Sequence, residues 1–385
     1  MLKEFEYWIK TPDNLRTLYF LKRLIRAAAA SRVWDHPPLR WLRDYLRSWA
    51  YVNYHIISVD PLILVDVWQH RYFRELSSLL PQDQNIYFIC LNWWHLESET
   101  NVRLTAEKYH SDQRRFPRHK IISLCNSLRQ KQLFDQFGLP NIFCNQNALL
   151  DENRYRILPA IEKKYDAIYL GVAAPFKRHW LARDVESLAL ITHFAAFSKT
   201  DYVQNIRAVL KHAHWLAAPE PLKNYIPGAC MAEYLNQARV GLCLSAAEGA
   251  MYASAEYLLC GLPVVSTRSR GGRDVFFDPD YVKIVDDDPA AVRRAVRELM
   301  DRRTPPEEIR RRTLTKMQPH RDRFVRLIQD IYDQEGAERK FQTEWNRVFV
   351  NKMIMSRRQR CLCRDIKDRR RALASENRIS HEDKS

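Results

Sequence analysis

Two glutamates, Glu248 and Glu256, are separated by seven residues in the stretch Ser245-Ala-Ala-Glu248-Gly249-Ala250-Met251-Tyr252-Ala253-Ser254-Ala255-Glu256. The preceding run VGLCL (240–244) is short and continuously apolar, as a buried strand would be, and a helical pattern starts near Ala253. Open parallel sheets bind ligands just outside the carboxyl ends of their strands. A helix start at that place offers free N–H groups and positive dipole to a phosphate. Gly249, Ala250, Met251, Tyr252 and Ala253 would provide that backbone. Glu256, one turn into the helix, would accept bonds from ribose hydroxyls, and Glu248 from the hydroxyls of a bound sugar. The chain has only nine glycines, and four of them (249, 261, 271 and 272) fall in this region, marking backbone that approaches something closely.

Other residues belong to the same chemistry. Gly171 follows the strand-like run YDAIYL (165–170), and Lys177 comes six residues later, with Arg178 beside it. Taken singly, Lys177 reads as an ordinary surface lysine. His95, in Asn92-Trp93-Trp94-His95, stands just past the apolar run IYFICL (86–91), at a strand's carboxyl end. It reads either as a site histidine or as a structural one beside two tryptophans. Gly271-Gly272 reads as a close backbone approach or as plain turn punctuation. Asp286-Asp287-Asp288 reads as the lead-in to a helix with Pro289 at its first position, not as a cation site. Cys361-x-Cys363 lacks a second ligand pair, and no metal or other cofactor is expected.

The elements that must position these residues alternate between strand and helix. In the first part, strands are expected over 4–9, 54–59, 86–91 and 120–125. Helices are expected over 15–30 and 39–51, and from the Asp60-Pro61 break to about Leu80. Farther on, strands are expected over 165–170, 240–244, 263–266 and 283–285. Helices are expected from about Arg178 and over 231–237, 253–260 and 289–300, with Gly261 as a left-handed stop. This rhythm predicts an α/β chain of two Rossmann-like, doubly wound domains facing a central cleft. The boundaries read as 1–160 for a first domain and 161–330 for a second. Residues 331–385 read as a helical, basic extension crossing back to the first domain.

Composition narrows the partners. The 385 residues carry 62 Lys+Arg against 46 Asp+Glu, a net charge of +16, which favours a polyanion: nucleotide phosphates, an anionic membrane or nucleic acid. Residues 351–385 alone hold 11 Lys/Arg against 5 Asp/Glu. With 46% hydrophobic residues the chain is not a disordered one. Its cysteines sit mostly in apolar stretches, as small hydrophobes in a reduced, cytoplasmic protein. No uninterrupted apolar run approaches the ~20 residues that span a bilayer.

Glu248-x7-Glu256 followed by CGLPVV resembles the signature of the group 1, GT4-like retaining glycosyltransferases of GT-B fold. The likeness extends to Gly171-Val-Ala-Ala-Pro-Phe-Lys177, to Gly271-Gly272-Arg-Asp, and to YHIISVDPLILVDVW (54–68) and HKIISLCNSLRQKQLFDQFGLP (119–140). It implies metal-independent transfer from a nucleotide-sugar donor, with 1–160 as the acceptor-side domain and 161–330 as the nucleotide-sugar-binding domain. Lys177 would neutralise the diphosphate with help from Arg178, Glu248 and His95 would stand near the transferred sugar, and Glu256 would hold the ribose. It further implies a glycan or lipid-linked acceptor in surface polysaccharide or glycolipid assembly, with the basic end at the inner face of the membrane. The chain departs from the family at Val172, where the family has arginine, and at Thr11-Pro-Asp-Asn14, where it has a glycine-rich loop. The alternatives are a DNA-modifying glycosyltransferase and a non-catalytic binder of the same fold.

Overall fold

The computed structural model describes residues 51–67, 72–92, 94–193, 198, 200–217, 226, 228 and 230–382. The strand expected over 4–9 and the helix over 15–30 lie outside these residues, as does the helix over 39–51 up to Tyr51, which opens a strand.

The first sheet contains β1 (Tyr51–Val59), β2 (Leu62–Val67), β3 (Ile86–Leu91), β4 (His119–Cys125) and β5 (Asn141–Phe143) in that spatial order. Strands β2 to β5 run parallel, whereas β1 and β2 form an antiparallel hairpin through Asp60-Pro61. The hairpin replaces the helix expected from that turn to Leu80. Leu62, Ile63, Leu64 and Val65 are all buried, so the run is covered on both faces, which suits a strand inside a sandwich of layers. Among the described residues there, only α1 (Phe73–Ser77) is helical. The helices α2 (Glu99–Arg115) and α3 (Leu128–Gln136) follow β3 and β4, each capped by a serine side chain.

The second sheet is parallel throughout. It holds β6 (Tyr165–Val172), β7 (Leu188–His193), β8 (His214–Ala217), β9 (Ala238–Cys243), β10 (Val264–Thr267) and β11 (Val282–Val285). Their spatial order is β11-β10-β9-β6-β7-β8. The chain first moves from β6 toward β8 and then returns to place β9 on the other flank of β6. A topological switch point therefore lies between β6 and β9, where ligands enter open α/β sheets. The helix expected from Arg178 is instead two 3-10 turns, Pro175–Lys177 and His179–Ala182, the second opened by Arg178 in the left-handed region at φ 50°. Two further helices precede β9: α4 (Thr200–Val209) and α5 (Met231–Asn236).

Helix α6 (Tyr252–Leu259) connects β9 to β10 and is locked to the sheet by one tyrosine. The Tyr257 ring lies on Gly241, where an added Cβ would come 2.4 Å from the ring, and its hydroxyl accepts a 2.7 Å bond from Leu170 N. Gly261 ends the helix at φ 74°, the left-handed stop read from the sequence. After α7 (Pro289–Arg302) comes α8 (Pro306–Gln334), which joins the two cores. Its Ile309 and Met317 belong to the second core, and its Phe324, Ile328, Ile331 and Tyr332 to the first.

Beyond α8, α9 (Phe341–Val348) covers one face of the first sheet. The strand β12 (Ser356–Arg358) then joins the edge of that sheet, antiparallel to β1. Finally α10 (Leu362–Glu382) packs Leu362 and Ile366 on the opposite face. The extension thus supplies an edge strand as well as helices. Two Rossmann-like sheets joined by a crossing helix are the arrangement the GT-B resemblance implies.

Candidate functional site

The switch point brings β6 and β9 side by side, so the residues after each strand meet. Lys177, in the 3-10 turn after β6, donates to Glu248 Oε1 in the loop after β9, and both residues are buried. The Ser245 hydroxyl donates to the same oxygen at 2.5 Å. Backbone pairing fixes the loop: Ala246 N bonds Phe176 O at 3.0 Å and Glu248 N bonds Arg270 O at 2.9 Å. Gly249 and Ala250 follow, and Met251 enters α6 at φ 51°. The first turn of α6 carries no side-chain cap. Its orphan N–H groups are those an anion would satisfy.

Burial and the neighbouring Lys177 ammonium hold the His179 imidazole down at about 3, and the same two causes lower His193. Both rings are therefore neutral at pH 7. Gly171 lies directly against this group: an added Cβ would stand at ordinary contact distance, 3.4 Å from Lys177 Cδ and 3.6 Å from His179 Nε2. Burial also pushes the Cys243 thiol up to about 12, which keeps it protonated. Arg178 turns away from this group. Its guanidinium bonds Leu244 O at 2.7 Å, Thr267 Oγ1 at 2.6 Å and the Asp287 carboxylate, tying together the ends of β9 and β10.

Glu256 is buried on α6, and Lys352 approaches to 2.7 Å from its Oε1. That lysine comes from the segment between α9 and β12, and its ammonium lies 4.4 Å from the centroid of the Tyr252 ring. The sequence reading gave Glu256 a ligand-facing role but no protein partner.

The remaining candidates sit on the seam with the first domain. Gly271 has φ 105°, and a Cβ there would fall 1.6 Å from Glu248 O, so only glycine fits beneath the Glu248 loop. Its N–H donates to Glu97 Oε2 at 2.9 Å, and the Ser127 hydroxyl donates to the other oxygen of that carboxylate. At Gly272 a Cβ would stand 2.2 Å from Asn126 O. Asn145 Nδ2 donates to Gly272 O at 2.7 Å, and Asn147 Nδ2 to Ala250 O at 2.7 Å. The close approach read at Gly271-Gly272 is therefore protein against protein. His95 is half-buried and stacks on Trp94, whose ring meets the edge of Phe176, the neighbour of Lys177.

Sequence reasoning missed Ser245, Glu97, Asn126, Asn145, Asn147 and Lys352. Ser245, three residues before Glu248, had a readable signal in its position at the strand's end. The asparagines had a weaker one, in Cys125-Asn126-Ser127 and Asn145-Gln146-Asn147 directly after β4 and β5. Arg273, also missed, is fully buried and donates to Cys243 O at 3.0 Å and Ser245 O at 2.9 Å, fixing the start of the Glu248 loop. Asp288 caps α7 by accepting from Ala290 N and Ala291 N, and Asp287 pairs with Arg178, as a helix lead-in would. Among the described residues no group of His, Cys, Asp and Glu is placed to hold a metal ion.

No family model and no curated protein sequence matches the chain. Among solved structures, it is similar to Anabaena HepE in complex with UDP (16% identity, 71% of this chain and 78% of that one, TM-score 0.48). It is also similar to sucrose-phosphate synthase from Thermosynechococcus elongatus (12% identity, 72% and 74%, TM-score 0.49). A third is TarM, at 10% identity over 69% of this chain and TM-score 0.49; the chain spans 54% of TarM's length.

Proposed function

We propose that the chain is a glycosyltransferase that takes a sugar from a nucleoside-diphosphate donor held by the second domain. The observation that carries this reading is the buried Lys177–Glu248 pair at the β6/β9 switch point, beside the uncapped start of α6. A cation, orphan backbone donors and a carboxylate converge there, which suits a diphosphate joined to a polyol. As the bond from the anomeric carbon to the diphosphate breaks, negative charge grows on the leaving oxygen. Lys177 and the first turn of α6 are fixed in advance where that charge develops, which is the condition for transition-state stabilisation. Glu248 accepts from the hydroxyls of the transferred sugar, Glu256 from the ribose, and His95 lines the sugar side across the seam. The acceptor oxygen bonds to the anomeric carbon on the face the diphosphate leaves, and its proton passes to the departing phosphate, so configuration is retained. Such a step needs neither an enzymic nucleophile nor a metal.

The acceptor is a glycan or a lipid-linked glycan of surface polysaccharide or glycolipid assembly, reached at the cytoplasmic face of an anionic membrane. Support for that location comes from α10. Its Lys367, Arg370 and Arg371 border a groove of about 600 Å³ floored by Leu62, Leu80, Pro81 and Ile366. Among the described residues no helix is long and apolar enough to cross a membrane. Aliphatic residues under a cationic rim suit anionic amphiphiles better than nucleobases, which bind on aromatic platforms.

The test is release of nucleoside diphosphate from UDP-, GDP-, ADP- and dTDP-sugars, followed with and without glycan acceptors. One donor class is expected to turn over, with Lys177→Ala and Glu248→Gln each lowering the rate at least ~100-fold, the scale of a lost charge-stabilising group. Unchanged turnover in both variants contradicts the reading.

A further inference from the structure

A cation that no sequence motif announces reaches Glu256 from the far end of the chain. The segment between α9 and β12 is fastened to the first domain: Met353 is fully buried in its core, and Asn351 Oδ1 accepts from Asp151 N at 3.0 Å. From that anchored turn Lys352 points into the second domain. Its ammonium stands 2.7 Å from Glu256 Oε1, 4.4 Å from the Tyr252 ring centroid and 6.0 Å from that of Tyr155. Lys352 and Met353 both take left-handed backbone, φ 65° and 50°. Two successive side-chain-bearing residues there cost energy, and such strain persists where the surroundings over-determine it.

The location matters as much as the contact. Tyr252 is the first residue of α6, so the ammonium lies beside a helix start, where the dipole disfavours positive charge. An acid at that place offsets this, and Glu256 is that acid. A carboxylate has about four lone-pair positions, of which the ammonium takes one and the Tyr155 hydroxyl another. Enough remain to accept from a ribose diol, provided the carboxylate is held in one orientation.

We infer that Lys352 is a positioning residue of the donor site: it clamps the Glu256 carboxylate so that its remaining lone pairs face the ribose hydroxyls of the nucleoside diphosphate. This rests on the proposed role of Glu256. Because Lys352 belongs to a segment rooted in the first domain, the donor site is complete only when the returning chain is in place. Donor affinity is thereby tied to the contact between the domains.

The experiment measures Kd by calorimetry for UDP, GDP and ADP and for their 2′-deoxy forms, using the full chain and its Lys352→Met, Lys352→Arg and Glu256→Gln variants. For the nucleotide that binds, Lys352→Met is expected to weaken the ribose form about tenfold, as loss of a charge-assisted contact would. It should leave the 2′-deoxy form within about twofold, so the ribose preference collapses as it does in Glu256→Gln, while Lys352→Arg restores it. If the wild type binds and Lys352→Met keeps its ribose preference, the inference is overturned and the donor site stands. Equal weakening of both forms also overturns it, because it marks a general loosening of the fold. If no nucleotide binds the wild type, the donor-site reading fails and this inference with it.

Discussion

Removing Lys177 or Glu248 alone is expected to destabilise the second domain more than removing both. Their side chains are only 9% and 10% exposed, so each variant strands a charge where water barely reaches. Breaking a buried pair on one side costs about 3–5 kcal/mol, whereas replacing both partners by apolar groups of similar volume is often close to neutral. Lys177→Met leaves Glu248 its 2.5 Å bond from Ser245 and should fall at the lower end of that range. Glu248→Leu leaves the ammonium with no counter-charge and should fall higher. At roughly 2–4 °C per kcal/mol for a domain of this size, each single variant should melt about 6–20 °C below wild type. The double variant should return to within about 1 kcal/mol of wild type while transfer stays abolished. Calorimetric melting of the four proteins forms a double-mutant cycle. Single effects that simply add in the double variant would refute the claim that the two side chains are coupled in a buried site.

Other expectations follow from the same structure. Gly272→Ala places a methyl against Asn126 O, 2.2 Å away, so the domains must part; a cost of about 1–3 kcal/mol and weaker donor binding are expected, read by melting and titration. Burial holds the imidazoles of His55 and His320 at about 4, below the ordinary value of ~6.5. Between those values the unfolded chain takes up protons that the folded chain refuses. Stability should therefore decline as pH falls from ~6.5 toward 4, and His320→Gln should flatten part of that decline in urea titrations across pH. Charge reversal at Lys367, Arg370 and Arg371 together should abolish sedimentation with phosphatidylglycerol vesicles, each cation contributing about 1 kcal/mol, and leave neutral vesicles unaffected.

Much of the second domain was legible because its signals are local. The strands β6, β9 and β10 hold short buried apolar runs (AIYL, VGLC and VV), although the edge strand β11 is only part-buried, and α6 and α7 carry their own stops and starts in Gly261 and Asp288-Pro289. The β1–β2 hairpin was not, since LILVDV has no period that separates a buried strand from a buried helix, and only its pairing with β1 and β3 decides. The 3-10 turns after β6 were hidden for a related reason: Arg178 takes left-handed backbone to reach Leu244 O and Thr267, partners more than 60 residues away. In the site, Glu248, Lys177 and Gly271 were singled out by the family resemblance and the clustering of glycines, and the structure brings Lys177 and Gly271 against the Glu248 loop. Glu97, the asparagine seam and Lys352 were not, because each acts on residues 96 or more positions distant and no local pattern records such contacts.

The account stands most directly on whether the second domain holds a nucleotide-sugar. A thermal-shift panel of UDP-, GDP-, ADP-, CMP- and dTDP-sugars on the purified chain tests this. A ligand at ~100 times its Kd should add about 2.7 kcal/mol of stability. The account predicts that one nucleotide class raises the melting temperature and that Glu256→Ala and Lys177→Ala each erase the shift. No stabilisation by any member, or a shift that survives both substitutions, would contradict it.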